Sequence, residues 1–198
     1  MLGRAASKLN VDLAAIVPKA GLPAAVAEQI AAAPDTLAAL AILEESDCLV
    51  EATRLIAHAL PRREAVWWAC MCARHTSPPS LPAPDQAALA AAETWVRTQA
   101  DDVRRAAFDH AQRADFKTPE AWAAVSAYWS GDSIAPLGQT PVPPPAHVAA
   151  AAVAGAVALA SVRDRPERRS ERLQRFIESA RDIARGGVGE LPAEKEAE

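Results

Sequence analysis

Strand-forming residues are scarce in this chain. Its 198 residues include three phenylalanines and one tyrosine, and no run of Val, Ile, Thr or aromatic side chains alternates with polar ones. That pattern excludes a β-rich fold. Glycine is also sparse at eight residues, which leaves sixteen prolines as the main punctuation. An excess of basic residues is missing too: 21 Lys and Arg face 25 Asp and Glu, for a net charge of −4. Nucleic-acid binding by phosphate neutralisation needs a cationic surface, so it is not expected. Cysteine occurs three times, as Cys48, Cys70 and Cys72. An odd count builds no even disulfide framework and suits a reducing cytoplasm. Met1-Leu2-Gly3-Arg4, with Lys8 and Asp12 soon after, lacks the apolar core of a secretory signal. No P-loop, no glycine fingerprint after a strand and no paired-histidine helix is present, so neither a cofactor nor a metal is expected.

What the sequence has in quantity is alanine, at 49 positions, and alanine favours helices that pack closely. Apolar positions recur at helical spacing, and Pro, Gly and capping residues break them into short pieces. Helices are expected over 22–33, 35–45 and 49–60, with Ser46-Asp47 as the N-cap of the last. The uncharged run Ala65 to Ala73 reads as a central helix, which only neighbours on most sides can cover. After a proline-rich loop over 76–84 come helices from Asp85 and from Asp101-Asp102, the latter with its inner face on Val103, Ala107, His110 and Ala111. Thr118-Pro119-Glu120 places an N-cap, an N1 proline and a first-turn acid in order, and opens a helix carrying Trp122, Val125 and Trp129. A proline-rich connection spans 131–145. It leads to an apolar helix over 148–162, whose ~22 Å falls short of a ~30 Å hydrocarbon core, so burial is expected and not membrane insertion.

The last helix differs in kind. Leu173, Phe176, Ile177 and Ile183 form one narrow apolar stripe, and the other faces are dense in alternating Arg and acidic residues. This stripe either packs back on the domain or docks with a partner, and it is the candidate partner-binding surface. Gly186-Gly187-Val188-Gly189 ends the helix, and the acidic remainder is expected to be mobile.

Catalytic chemistry is hard to find. Cys70 and Cys72 point about 160° apart on a helix and cannot hold one ion together, so they read as buried thiols. His58, His75, His110 and His147 are scattered. Gly131-Asp132-Ser133 looks like a lipase nucleophile block but lacks the strand such chemistry needs. Trp67, Trp68, Trp95, Trp122 and Trp129 fill gaps between alanines, or else Trp67, Trp68 and Trp129 line a groove. Adjacent on one helix, Trp67 and Trp68 are not both easily buried, which places one of them under the proline-rich loop or at an interface.

Three segments together resemble a family of small, functionally uncharacterised bacterial proteins. They are Pro61-Arg62-Arg63-Glu64-Ala65-Val66-Trp67-Trp68-Ala69, Tyr128-Trp129-Ser130-Gly131-Asp132-Ser133-Ile134-Ala135-Pro136 and Pro141-Val142-Pro143-Pro144-Pro145. The resemblance covers roughly residues 35–162, without the last helix. It supplies no catalytic residues, and it implies an accessory role at type VI secretion loci.

The expected fold is all-α. About eight or nine short helices form a single domain, as an orthogonal bundle or a short superhelical array. The core spans 1–162, the amphipathic helix 163–185 and the tail 186–198. The expected function is non-catalytic: a cytoplasmic protein that binds another protein or itself, and neither nucleic acid nor membrane. The alternative is a small-ligand binder or enzyme whose dispersed pocket gathers Trp122, His110 and Asp109.

Overall fold

Alanine-rich faces and well-placed caps build ten α-helices in the computed structural model, which describes residues 7–194. The N-terminal Met1-Leu2-Gly3-Arg4 and the last four residues of the expected tail lie outside the described residues. The helices are α1 (Leu13–Ile16), α2 (Ala24–Ile30), α3 (Thr36–Glu45), α4 (Leu49–Ala59), α5 (Arg62–His75), α6 (Ala83–Thr98), α7 (Asp101–Arg113), α8 (Pro119–Trp129), α9 (Val148–Val162) and α10 (Arg169–Ala184). Among the described residues there is no strand. The one-turn α1 takes the number beyond the expected eight or nine.

Several helix starts follow the chemistry of their caps. The Asp35 carboxylate accepts from the Ala38 N–H at 2.9 Å, and the Thr118 hydroxyl oxygen accepts from the Ala121 N–H at 3.2 Å, each satisfying a donor that the first turn leaves free. The expected cap at Ser46-Asp47 does not form. Ser46 instead donates back to the Ile42 carbonyl at 2.8 Å and closes α3, while Asp47 takes a left-handed turn with φ 55°. The N-cap of α4 is therefore Cys48.

α8 packs against α5, α6, α7 and α9, and α5 and α9 also pack against each other. The helices around Val66 and Val153 are central, as the uncharged runs imply, and both side chains are buried. Gly155 on α9 lies where an added Cβ would sit 3.7 Å from the Trp122 ring of α8, so glycine permits that approach without being forced by it. No helix among the described residues is long and apolar enough to cross a membrane.

Buried charges fix the corners. Glu120 of α8 is fully buried; it accepts from Arg163 at 2.8 Å and from the Ser77 hydroxyl at 3.0 Å. Arg104 of α7, also buried, donates to Asp101 at 2.8 Å, to the Tyr128 carbonyl at 2.5 Å and to the Ser133 carbonyl at 2.7 Å. A Cβ on Gly131 would lie 2.3 Å from Arg104 Nε. That contact gives Gly131-Asp132-Ser133 a structural role, because the glycine leaves room for the guanidinium that ties the proline-rich connection to α7.

Of the two places left open for the C-terminal helix, packing back on the domain is the one the structure has. α10 lies against α4, α5 and α9, and Leu173, Phe176, Ile177 and Ile183 belong to the same apolar cluster as Val66 and Val153.

Candidate functional site

The stripe on α10 is no free surface. Leu173 is 2% exposed, Phe176 and Ile177 0% and Ile183 3%. Covering this stripe removes four large apolar side chains from water, at roughly 1.5–3 kcal/mol each. The indole N–H of fully buried Trp68 reaches across from α5 and donates to the Phe176 carbonyl at 2.8 Å. The partner of the stripe is the chain's own core.

The three tryptophans taken as a groove are dispersed for a related reason. Neighbours on a helix point about 100° apart, so Trp68 enters the core while Trp67 stays half-buried on the other side. Trp67 lies under the segment after α10 and not under the proline-rich loop: its indole N–H donates to the Val188 carbonyl at 2.8 Å. Trp129 sits at the end of α8, half-buried against the core. Of the alternative set, Asp109 is exposed, His110 is half-buried, and the Trp122 indole N–H donates to the nearby Phe116 carbonyl at 2.9 Å.

What the sequence did not show is the course of residues 186–194. The chain turns back at the end of α10 and runs along it in the opposite direction as a strap. Glycines make the reversal. Gly186 has φ 96° and Gly189 φ 63°, a region that side chains rarely enter. A Cβ on Gly187 would sit 2.2 Å from the Asp182 carboxylate, and one on Gly189 2.5 Å from Ile183. The described part of the expected mobile tail thus turns back onto α10, and the Gly-Gly-x-Gly run makes that turn.

Hydrogen bonds hold the strap at intervals. The Gly189 N–H donates to Asp182 at 2.8 Å, and its carbonyl accepts from the Ser179 hydroxyl at 2.6 Å. His75, at the end of α5 and 1% exposed, donates through Nδ1 to the Pro192 carbonyl. Its own carbonyl accepts from the Glu194 N–H at 2.8 Å. Because a carbonyl only accepts, the proton is on Nδ1; Nε2 is then a bare acceptor, buried and without a hydrogen-bond partner. Burial keeps the His75 pKa below the ordinary histidine value, against the opposing pull of the Pro192 carbonyl.

The strap ends on arginine. Arg172 is 2% exposed. Its Nη1 donates to the Ser161, Arg163 and Arg165 carbonyls at 3.2, 2.7 and 3.3 Å. These three acceptors lock the guanidinium and leave Nε and Nη2 to grip Glu194, at 3.2 and 2.5 Å. Arg168 adds a contact of 2.7 Å to the same carboxylate. Arg172 accordingly holds the Glu194 carboxyl below its usual range.

The groove is wider than its occupant. Between the strap, α10 and the α3–α4 corner lies a depression of about 850 Å³ lined by Glu44, His75, Ser179, Leu191 and Pro192. Another of about 470 Å³ lies on the other side of Leu191 and reaches Arg74 and Leu89. A third, about 380 Å³, is lined by Trp67, Ile183 and Val188, and a fourth, about 370 Å³, by Arg172 and Glu194. Cys70 and Cys72 lie outside all four. Burial pushes both thiols well above the ordinary cysteine value, which leaves them weak nucleophiles.

A family model described as a family of unknown function (DUF6931) matches residues 39–184. The chain belongs to that family. The match runs through the end of α10, so the family resemblance extends past residue 162 and includes the amphipathic helix. The walls of the groove lie within the match, and the strap lies beyond it. Neither a search of curated proteins nor one of solved structures found a match.

Proposed function

We propose that this protein is a non-catalytic accessory that binds another protein, and that it does so through the groove between α5 and α10. One observation carries the reading. Between α5 and α10 lies a row of depressions whose walls already hold a peptide segment: Trp67, His75 and Ser179 each bind a backbone carbonyl of residues 186–194, and Arg172 binds the Glu194 carboxylate. Main-chain recognition of this kind suits a peptide better than a small substrate. Glu44, Asp182, Arg172 and Glu194 are each held by an ion pair or hydrogen bond within the chain, and the Nδ1 of His75 is held by the Pro192 carbonyl.

The three sequence segments quoted above add a setting, an accessory role in the cytoplasm at a type VI secretion apparatus. Affinity capture of the full-length protein from its source cells, with light scattering on the purified chain, tests the reading. A stoichiometric protein partner that raises the measured mass of the complex supports it. A monomer that recovers no stoichiometric partner, together with turnover in a substrate screen, would overturn it.

A further inference from the structure

The strap shows what the groove recognises. Val188, Gly189 and Pro192 each present a carbonyl to a donor on the groove wall, from Trp67, Ser179 and His75 respectively. Leu191 is half-buried between two of the depressions. Pro192 has no N–H to satisfy and biases Leu191 towards extended backbone. Glu194, three residues after Leu191, places its carboxylate on the locked edge of Arg172. The receptor side is built into the core helices, whereas the ligand side is a short run with few apolar anchors.

The receptor keeps groups and space that the strap does not use. His75, whose Nδ1 holds the Pro192 carbonyl, keeps Nε2 buried without a hydrogen-bond partner. The depressions on both sides of Leu191 are also left open. Arg172 is the complementary case, because its three carbonyl contacts come from residues 161–165 and not from the strap. If the strap leaves, Nε and Nη2 of this guanidinium face the groove without a carboxylate and are free to take another.

From this we infer that the α5–α10 groove is a receptor for an extended peptide of a partner protein. The partner presents a leucine-like side chain followed three residues later by a carboxylate, as Leu191-Pro192-Ala193-Glu194 does, and the strap holds the groove in cis until that peptide displaces it. This rests on the protein-binding reading above and adds the chemistry of the partner and the gate. The cis segment is tethered, so it competes at an effective concentration that no free peptide reaches. A free copy of the strap therefore binds the intact protein poorly and binds a strap-released protein well.

The test uses full-length protein and a peptide of residues 186–194 labelled at its N-terminus with tetramethylrhodamine and amidated at its C-terminus, so that the only carboxylates of the peptide chain are those of Glu190 and Glu194. Gly189→Val releases the strap, because φ 63° and the approach to Ile183 exclude a branched side chain. Leu191→Ser/Glu194→Gln releases it by an independent route and leaves the glycine turn intact. Fluorescence anisotropy is expected to show at least tenfold tighter peptide binding to both released variants than to wild type. A peptide with Gln in place of Glu194 should bind the released variants at least tenfold more weakly than the parent peptide. Unchanged helical circular dichroism establishes that the variants are folded. Folded variants that bind no better than wild type, or that bind the Glu and Gln peptides alike, would overturn the inference. So would a cellular partner captured equally by wild type and released variants and not competed by the peptide, and that result would leave the protein-binding reading standing. Peptide binding without any cellular partner would overturn the protein-binding reading, and the partner with it, and leave only the displaceable strap.

Discussion

Glu120 sits fully buried with its carboxylate shared between Arg163 and Ser77. Removing one member of such a pair leaves the other charge stranded, so Glu120→Ala is expected to lower stability by about 3–5 kcal/mol, read from urea unfolding. A loss under ~1 kcal/mol would place the pair among those that water screens. The thiols give a second residue-scale prediction. Cys48 is partly exposed, whereas Cys70 and Cys72 are buried with their pKa values pushed up. Native protein is expected to react quickly with Ellman's reagent at one thiol and to yield the other two only on unfolding. Three fast equivalents would contradict the packing of α5. These buried groups also mark where sequence is hard to read. The periodicity of α7 points to an inner face of Val103, Ala107, His110 and Ala111, yet Arg104 is the buried side chain and His110 is half-buried. The acceptors that make Arg104 tolerable come from Tyr128 and Ser133, and no local pattern shows that pairing.

At the scale of elements, most helices were legible because their signals are local: the Thr118-Pro119 start, the Gly131 stop and the uncharged run on α5. The destination of the α10 stripe was not. An amphipathic helix carries the same pattern whether its apolar face meets its own core or another protein, and only the packing on α4, α5 and α9 decides between them. The turn into the strap was missed for a different reason, since small and acidic residues after a helix usually signal mobility, and the linear pattern does not show that glycine's missing Cβ permits a reversal onto Asp182 and Ile183. Strap docking is also expected to depend on pH. His75 is held below 6.5 in the folded protein, so its contribution is complete above about pH 6.5 and is lost as pH falls through the depressed folded value. Glu194, held below 4.5 by Arg172, adds a loss of the same sign at lower pH. Around His75, Glu194 favours the protonated ring while Arg175 and Arg172 oppose it. Urea midpoints are expected to fall between pH 7 and pH 5, and His75→Gln should remove part of that fall, with His58, also depressed by burial, retaining the rest. A midpoint that rises on acidification would reverse the assignment.

For the molecule as a whole, composition alone reached the all-α class, because an alanine-rich chain without strand-forming runs has few other ways to bury its surface. Membership of the DUF6931 family covers α10, in keeping with one core and no appended arm. The groove between α5 and α10 brings together residues more than 100 positions apart, such as Trp67 and Val188, so its geometry had no signature in the linear pattern. The central claim is that segment 186–194 is docked on this core yet opens independently of it. Amide hydrogen exchange at the Gly187, Gly189 and Glu194 N–H groups measures this directly, since these donate to the Asp182 carbonyl, the Asp182 carboxylate and the His75 carbonyl. Protection clearly above that of an unstructured chain, and well below that of the α5 and α10 core amides, is the expected result. Exchange at unprotected rates, or protection equal to that of the core, would contradict it.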